Sequence, residues 1–398
     1  MLRQTVIVIF LAVLFGGASL VNLGSADMPL DPAILKLRYV MVGASLLTFL
    51  LMSDLNKLSF SSNALPIQLL WILFSLALVA SGIANNDSLI VRDGFWLMLG
   101  ANLSFFYALP KLMKEQANLL LGLALFLGNL PYIVTSLVSH PLTTLRYKGV
   151  FANSNQMGLI SATVAAGIFI ILSGALSARK SFGHVLVIIL LLLGSFYLIV
   201  CANSRTSILA FCTMFVLFIY QSLSRPEFLY KIGTIFTVIV STTVVVASEQ
   251  INGVFKEVDQ ILGDKVQGGL SGRDDIWKQT LDDSRLLGYG SDYFELNIGL
   301  AGHNSIIQIL GENGIIAAYL LICFAVASFY YAYWYFQTYA KEDHYAIGPL
   351  IITACFWILS MGEGMFGSLG AAMTLAYMIS VGIVIARRPN TPNLKSQQ

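Results

Sequence analysis

Uninterrupted apolar stretches of about 18–22 residues recur along this chain, each long enough to cross a hydrocarbon core of about 30 Å as a helix. A membrane β-barrel would instead alternate over segments of about 10 residues. The expected fold is an all-α integral membrane protein with about 12 transmembrane helices, at 4–23, 34–52, 66–83, 89–109, 118–138, 158–177, 184–202, 206–223, 231–248, 314–336, 344–362 and 369–386. Only 11% of the residues are charged and the net charge is +2, so a nucleic-acid footprint is absent. Val6–Leu23 exceeds the usual signal-peptide core, which favours a retained first helix. Cys201, Cys212, Cys323 and Cys355 fall in or beside apolar runs and read as small packing residues rather than a disulfide framework. The tail after Arg388 reads as a disordered end. Residues 1–398 thus form a single polytopic membrane domain.

One stretch breaks the pattern. Residues 249–313 lack an apolar run that spans a bilayer and hold about a third of the charged residues. This long loop is expected to lie outside the membrane, to contain short helices, and to end in a re-entrant helix. Its acidic residues outnumber its basic ones roughly two to one, so it is not a general trap for anions.

Orientation follows from the Lys/Arg bias of short connections. A cytoplasmic N-terminus puts Arg3, Lys57, Lys111, Lys114, Arg179, Lys180, Arg225, Lys231, Lys341, Arg387 and Arg388 on the cytoplasmic side, with the C-terminus. The opposite connections at 24–33, 84–88 and 363–368 carry no Lys or Arg. Arg146, Lys148, Arg205 and the basic residues of the long loop then stand against the bias, and binding an anion is a reason for them to be there.

Arg146 and Lys148 precede Asn153 and Asn155, which are good N-caps for a helix starting near Met157; a helix N-terminus offers free amides to an anion. Arg205 sits in a tight turn, where it either snorkels to headgroups or grips a phosphate with its planar fork. Arg273 opens the segment RDDIWKQTLDD, with Ile276, Trp277 and Leu281 expected on one apolar side. Asp274-Asp275 and Asp282-Asp283 are adjacent pairs on a helix, so their carboxylates diverge and a solvated face is favoured over a metal site. Gly288, Tyr289 and Gly290 read as a flexible link. His303 is one of two outward histidines, with His140, and it precedes SIIQILGENG, where Ser305, Gln308 and Glu312 share a helical face. A His at that helix start is suited to move a proton near neutral pH.

Taken together, Arg146, Gly149 to Asn155, Gly158, Ser204-Arg205, Ser271-Gly272-Arg273, Trp277, Gly288-Tyr289-Gly290, His303-Asn304 and Gly311 to Gly314 resemble the O-antigen ligase and polymerase superfamily, the Wzy-C type of membrane glycosyltransferase. The resemblance covers roughly residues 140–335; Ser154 departs from it, standing where an Asn-Pro-Asn form has Pro. It implies transfer of a glycan from undecaprenyl pyrophosphate at the periplasmic face of a bacterial inner membrane. It implies His303 as the catalytic base, Arg205, Arg273 and Arg146 on the pyrophosphate, and Lys148 and Asn304 beside them at the substrate, with no metal and no cofactor. The chemistry is self-consistent. A pyrophosphate leaving group needs charge stabilisation, a sugar hydroxyl needs a base, and direct attack inverts the anomeric carbon.

Three activities compete. A ligase joins the glycan to lipid A–core, and a polymerase joins repeat units on the same carrier. The modest connection at 139–157 favours the ligase. A transporter is the remote alternative, with Arg92-Asp93 as its polar element. The unequal halves around the loop and the lack of an internal repeat count against it.

Overall fold

The computed structural model describes residues 2–23, 32–53, 65–113, 116–142, 146–177, 181–223, 273–366 and 371–387. The expected span at 231–248, loop residues 249–272, the tail from Arg388 and the basic residues Lys57, Lys114, Arg179, Lys180, Arg225 and Lys231 lie outside the described residues.

The rest is helical: α1 (Leu2–Ser19), α2 (Pro32–Met52), α3 (Leu65–Ala84), α4 (Ser88–Met113, with π-helical turns over Trp96–Ala108), α5 (Ala117–Ser139), α6 (Ser154–Ser177), α7 (Phe182–Ala202), α8 (Arg205–Leu223), α9 (Arg273–Asp282), α10 (Ser305–Tyr339), α11 (Gly348–Ser360) and α12 (Ala372–Ala386). Among the described residues eight helices are long and apolar enough to cross a membrane, and the protein is a multi-pass membrane protein. Two expected spans are shorter than the sequence pattern suggests. α11 and α12 have 13 and 15 residues, about 20–22 Å at 1.5 Å per residue.

α6 is the central post. Nearly all of it is buried, and it packs on α5, α7, α8 and α11. Its sequence SATVAAG supplies the small side chains that let helices approach closely where no hydrophobic effect drives them together. α10 has 35 residues, and its longer part, Ile315 to Tyr339, is about 38 Å of helix, which exceeds a bilayer core of about 30 Å. At its Tyr339 end Arg387 binds Asp343 Oδ2 (2.7 Å) and Tyr335 (2.8 Å), and Asn118 donates to the same two groups, tying α5, α10 and α12 together. The candidate site is at the other end.

There α10 is broken. Gly314 (φ 89°, ψ 179°) separates a short helix, Ser305 to Asn313, from the long one. The break strips backbone partners, and residues 285–290 replace them. Ile315 N–H donates to Arg285 O (2.9 Å), while Tyr289 N–H and Gly290 N–H donate to Gly311 O (3.1 Å) and Glu312 O (3.0 Å). The Gly-Tyr-Gly segment, expected as a flexible link, is therefore the hydrogen-bonding complement of the kink. The turn between α3 and α4 clamps it from the far side. Ser81 Oγ and Asn85 Nδ2 donate to Leu287 O, and Asp87 Oδ2 accepts from Ser291 N–H (2.7 Å). Burial pushes the Asp87 carboxyl up, but the donors of Ser291 and the amides of Ile90 and Leu89 outweigh it and hold the carboxyl below its usual range.

Only glycine tolerates the Gly314 backbone, and an added Cβ would lie 2.4 Å from Leu286 O and from Gly288 N. Gly314→Ala is expected to cost at least about 1–3 kcal/mol of strain and to displace the segment at 285–290 that packs against the kink. Membrane abundance and thermal unfolding of the purified variant would read this, and wild-type values would show that the kink is not required.

Candidate active site

Each site residue is held by a local device. Arg146 is fixed by its neighbour Tyr147, whose buried ring donates its hydroxyl to Ser136 O (2.7 Å) while its N–H donates to Cys201 O (2.9 Å). Arg205 opens α8 two residues after Asn203, whose left-handed backbone (φ 56°) ends α7. Ser204 and Ser207 share a hydrogen bond of 2.9 Å in the first turn of α8. Gly158 in α6 lets that turn come close, since a Cβ there would lie 2.5 Å from Ser204 Cβ. The N-termini of α6 and α8 are thus side by side. Arg273 opens α9 and donates from Nη1 to Gly362 O (3.0 Å). The buried face of α9 is Ile276 and Thr280; Leu281 is 57% exposed, so the expected apolar side differs by one position.

A cavity of about 370 Å³ lies between these devices. Arg146, Arg205 and Arg273 all line it, with Ser154, Asn155, Asn203, Thr206, Trp277, Met361 and Gly362. Three arginines spread over more than a hundred residues of sequence meet in one space of ligand-site size. First-turn residues of α6 and α8 line it too, and first-turn amides have no helical acceptor to bond. Cationic forks and helix N-termini both favour a phosphate.

Lys148 is exposed and is not among the lining residues. Asn304 is buried and caps α10, accepting from Ile306 N–H (2.9 Å) and Ile307 N–H (3.2 Å) while Nδ2 reaches Met361 O (3.5 Å). Both ends of its amide are engaged within the protein. His303 stands beside the cavity. The Trp277 indole donates to Gly302 O (3.0 Å) and fixes the backbone before it. His303 Nδ1 lies 3.5 Å from Glu363 Oε2, and Glu363 Oε1 accepts from Asn155 Nδ2 (3.1 Å).

Sequence reasoning passed over Glu363. Its signal was present, an acidic residue between two glycines in a connection otherwise noted only for lacking Lys and Arg. Backbone strain gathers here as well. Among the described residues four non-glycines have positive φ, and three of them, Arg146, Asn203 and His303, are at this site. Such outliers cost about 1–3 kcal/mol each and persist where surrounding structure enforces them, often at functional sites. Among the described residues no three His, Cys, Asp or Glu side chains are gathered as a metal site would need. Asp274 and Asp275 are exposed in the first turn of α9, and Asp283 accepts the Tyr293 hydroxyl (3.1 Å). Burial and that neighbouring carboxylate push the Tyr293 hydroxyl up to about 12.

No curated protein matches the chain. Residues 188–322 match the O-Antigen ligase family model (Wzy_C), a stretch that contains Arg205, Arg273 and His303. This stretch, about a third of the chain, is similar to the O-antigen ligase superfamily, a glycosyltransferase-type family of ligases and polymerases.

Proposed function

We propose that this protein is a ligase that moves a glycan from undecaprenyl pyrophosphate to an acceptor hydroxyl on lipid A–core. The observation that carries the reading is the convergence of Arg146, Arg205 and Arg273 on one cavity beside His303. The acceptor hydroxyl attacks the anomeric carbon, its proton passes to His303, and the bond from that carbon to the pyrophosphate oxygen breaks. The leaving oxygen keeps the electron pair. The arginines stabilise charge where it develops, without having to reorganise at that moment. Attack opposite the leaving group inverts the anomeric centre. The Lys/Arg bias of the short connections orients the cavity to the periplasm and both termini to the cytoplasm of a bacterial inner membrane.

Deleting the protein from its host tests the acceptor. A ligase leaves long unligated chains on the lipid carrier. A single repeat unit attached to core in the deletion would contradict the ligase reading and assign the chain as a polymerase with the same donor chemistry.

A further inference from the structure

We propose that Glu363 is the positioning residue of the base and the link that couples it to the donor cavity, an inference that rests on the function proposed above. Its two carboxylate oxygens face different partners. Oε1 accepts from Asn155 Nδ2 at 3.1 Å, and the Asn155 side chain belongs to the cavity wall. Oε2 faces His303 Nδ1 at 3.5 Å.

The segment carrying Glu363 is pinned by the site itself. Arg273 holds Gly362 O (3.0 Å), Asn304 holds Met361 O (3.5 Å), and Ser305 Oγ donates to Glu363 O (3.3 Å) while accepting from Met365 N–H (2.8 Å). The two residues that follow His303 and the arginine of the donor cavity therefore fix one short connection. Glu363 is a quarter exposed, so its carboxylate has few competing partners in water.

The chemical consequence concerns the tautomer. An ionised carboxylate only accepts hydrogen bonds, so it selects the imidazole with its proton on Nδ1. The lone pair is then on Nε2, free to take the acceptor's proton. The same logic governs a His oriented by a buried acid in hydrolytic triads, where replacing the acid with its amide leaves the geometry but selects the wrong tautomer. Here the orienting acid is itself held by an amide of the cavity wall, so a shift of Asn155 on donor binding would be felt at the base.

The test uses the purified full-length protein and undecaprenyl pyrophosphate-linked glycan. Glu363→Gln keeps an acceptor for Asn155 but presents an amide donor to Nδ1. Its kcat should fall about 10- to 10²-fold with the donor KM within about twofold of wild type, whereas Glu363→Asp should recover most of the loss. The double variant with His303→Ala should be no slower than His303→Ala alone, because residues that act as one unit are not additive. Wild-type kcat in Glu363→Gln, equal loss in the Gln and Asp variants, or a further loss in the double variant would each overturn the assignment. The parent reading fails separately: a wild-type rate for His303→Ala removes the base itself, and the inference with it.

Discussion

His303→Ala should lose glycan transfer by about 10²-fold or more while still retaining the lipid-linked donor. The imidazole stands beside the arginine-lined cavity, not in its wall, so its removal leaves Arg146, Arg205 and Arg273 in place. Asn304 caps α10 with its own side chain, so the helix start does not depend on the imidazole. The position has positive φ (46°), a backbone that alanine adopts no more readily than histidine, so the variant should be read together with its thermal unfolding. His303→Gln separates positioning from proton transfer, since glutamine forms hydrogen bonds but is no base at neutral pH. A base must be neutral to accept a proton, so wild-type transfer should decline in acid, and the residual activity of either variant should lack that decline. Initial rates across about pH 5.5–8.5 would check this.

Arg273→Lys should be nearly as damaging, on the order of 10²-fold, although the charge is kept. Arg273 does two things at once, lining the cavity and donating from Nη1 to Gly362 O. A guanidinium fork serves a backbone carbonyl and a phosphate oxygen together, whereas a lysine ammonium is a single point of charge. Arg205→Ala should also lose transfer strongly, since Arg205 lines the same cavity. Both variants should remain inserted at normal abundance. Normal transfer by both would leave these arginines as membrane anchors.

The arginines were legible because they run against the Lys/Arg bias of the expected topology. Arg146, Arg205 and Arg273 each stood out against the charge bias, and the structure brings all three to one cavity. The helical runs were legible for the same reason, since a bilayer demands long apolar segments. What stayed hidden depends on three-dimensional closure. The Gly288-Tyr289-Gly290 segment has no periodicity of its own; its role appears only when its amides meet the carbonyls freed at Gly314, more than twenty residues away. Glu363 is sixty residues from His303, and no local pattern announces the pairing. Lys148 shared the signal of Arg146 but not its location: Arg146 lines the cavity, whereas Lys148, on the other side of the buried Tyr147 in sequence, is exposed and does not. Leu281 was assigned to the packed face of α9 by helical spacing, and a hydroxyl residue, Thr280, takes that place by donating to Ile276 O (2.8 Å).

The division of labour between base and arginines is tested most directly by measuring donor retention and turnover on the same preparations of wild type, His303→Ala and Arg273→Lys. Binding of undecaprenyl pyrophosphate-linked glycan to purified protein gives the first quantity, and single-turnover transfer to acceptor gives the second. His303→Ala should hold the donor as wild type does and fail to transfer it, whereas Arg273→Lys should lose both. Donor binding lost in His303→Ala, or wild-type binding and transfer in Arg273→Lys, would contradict the assignment of proton transfer to His303 and pyrophosphate to the arginines.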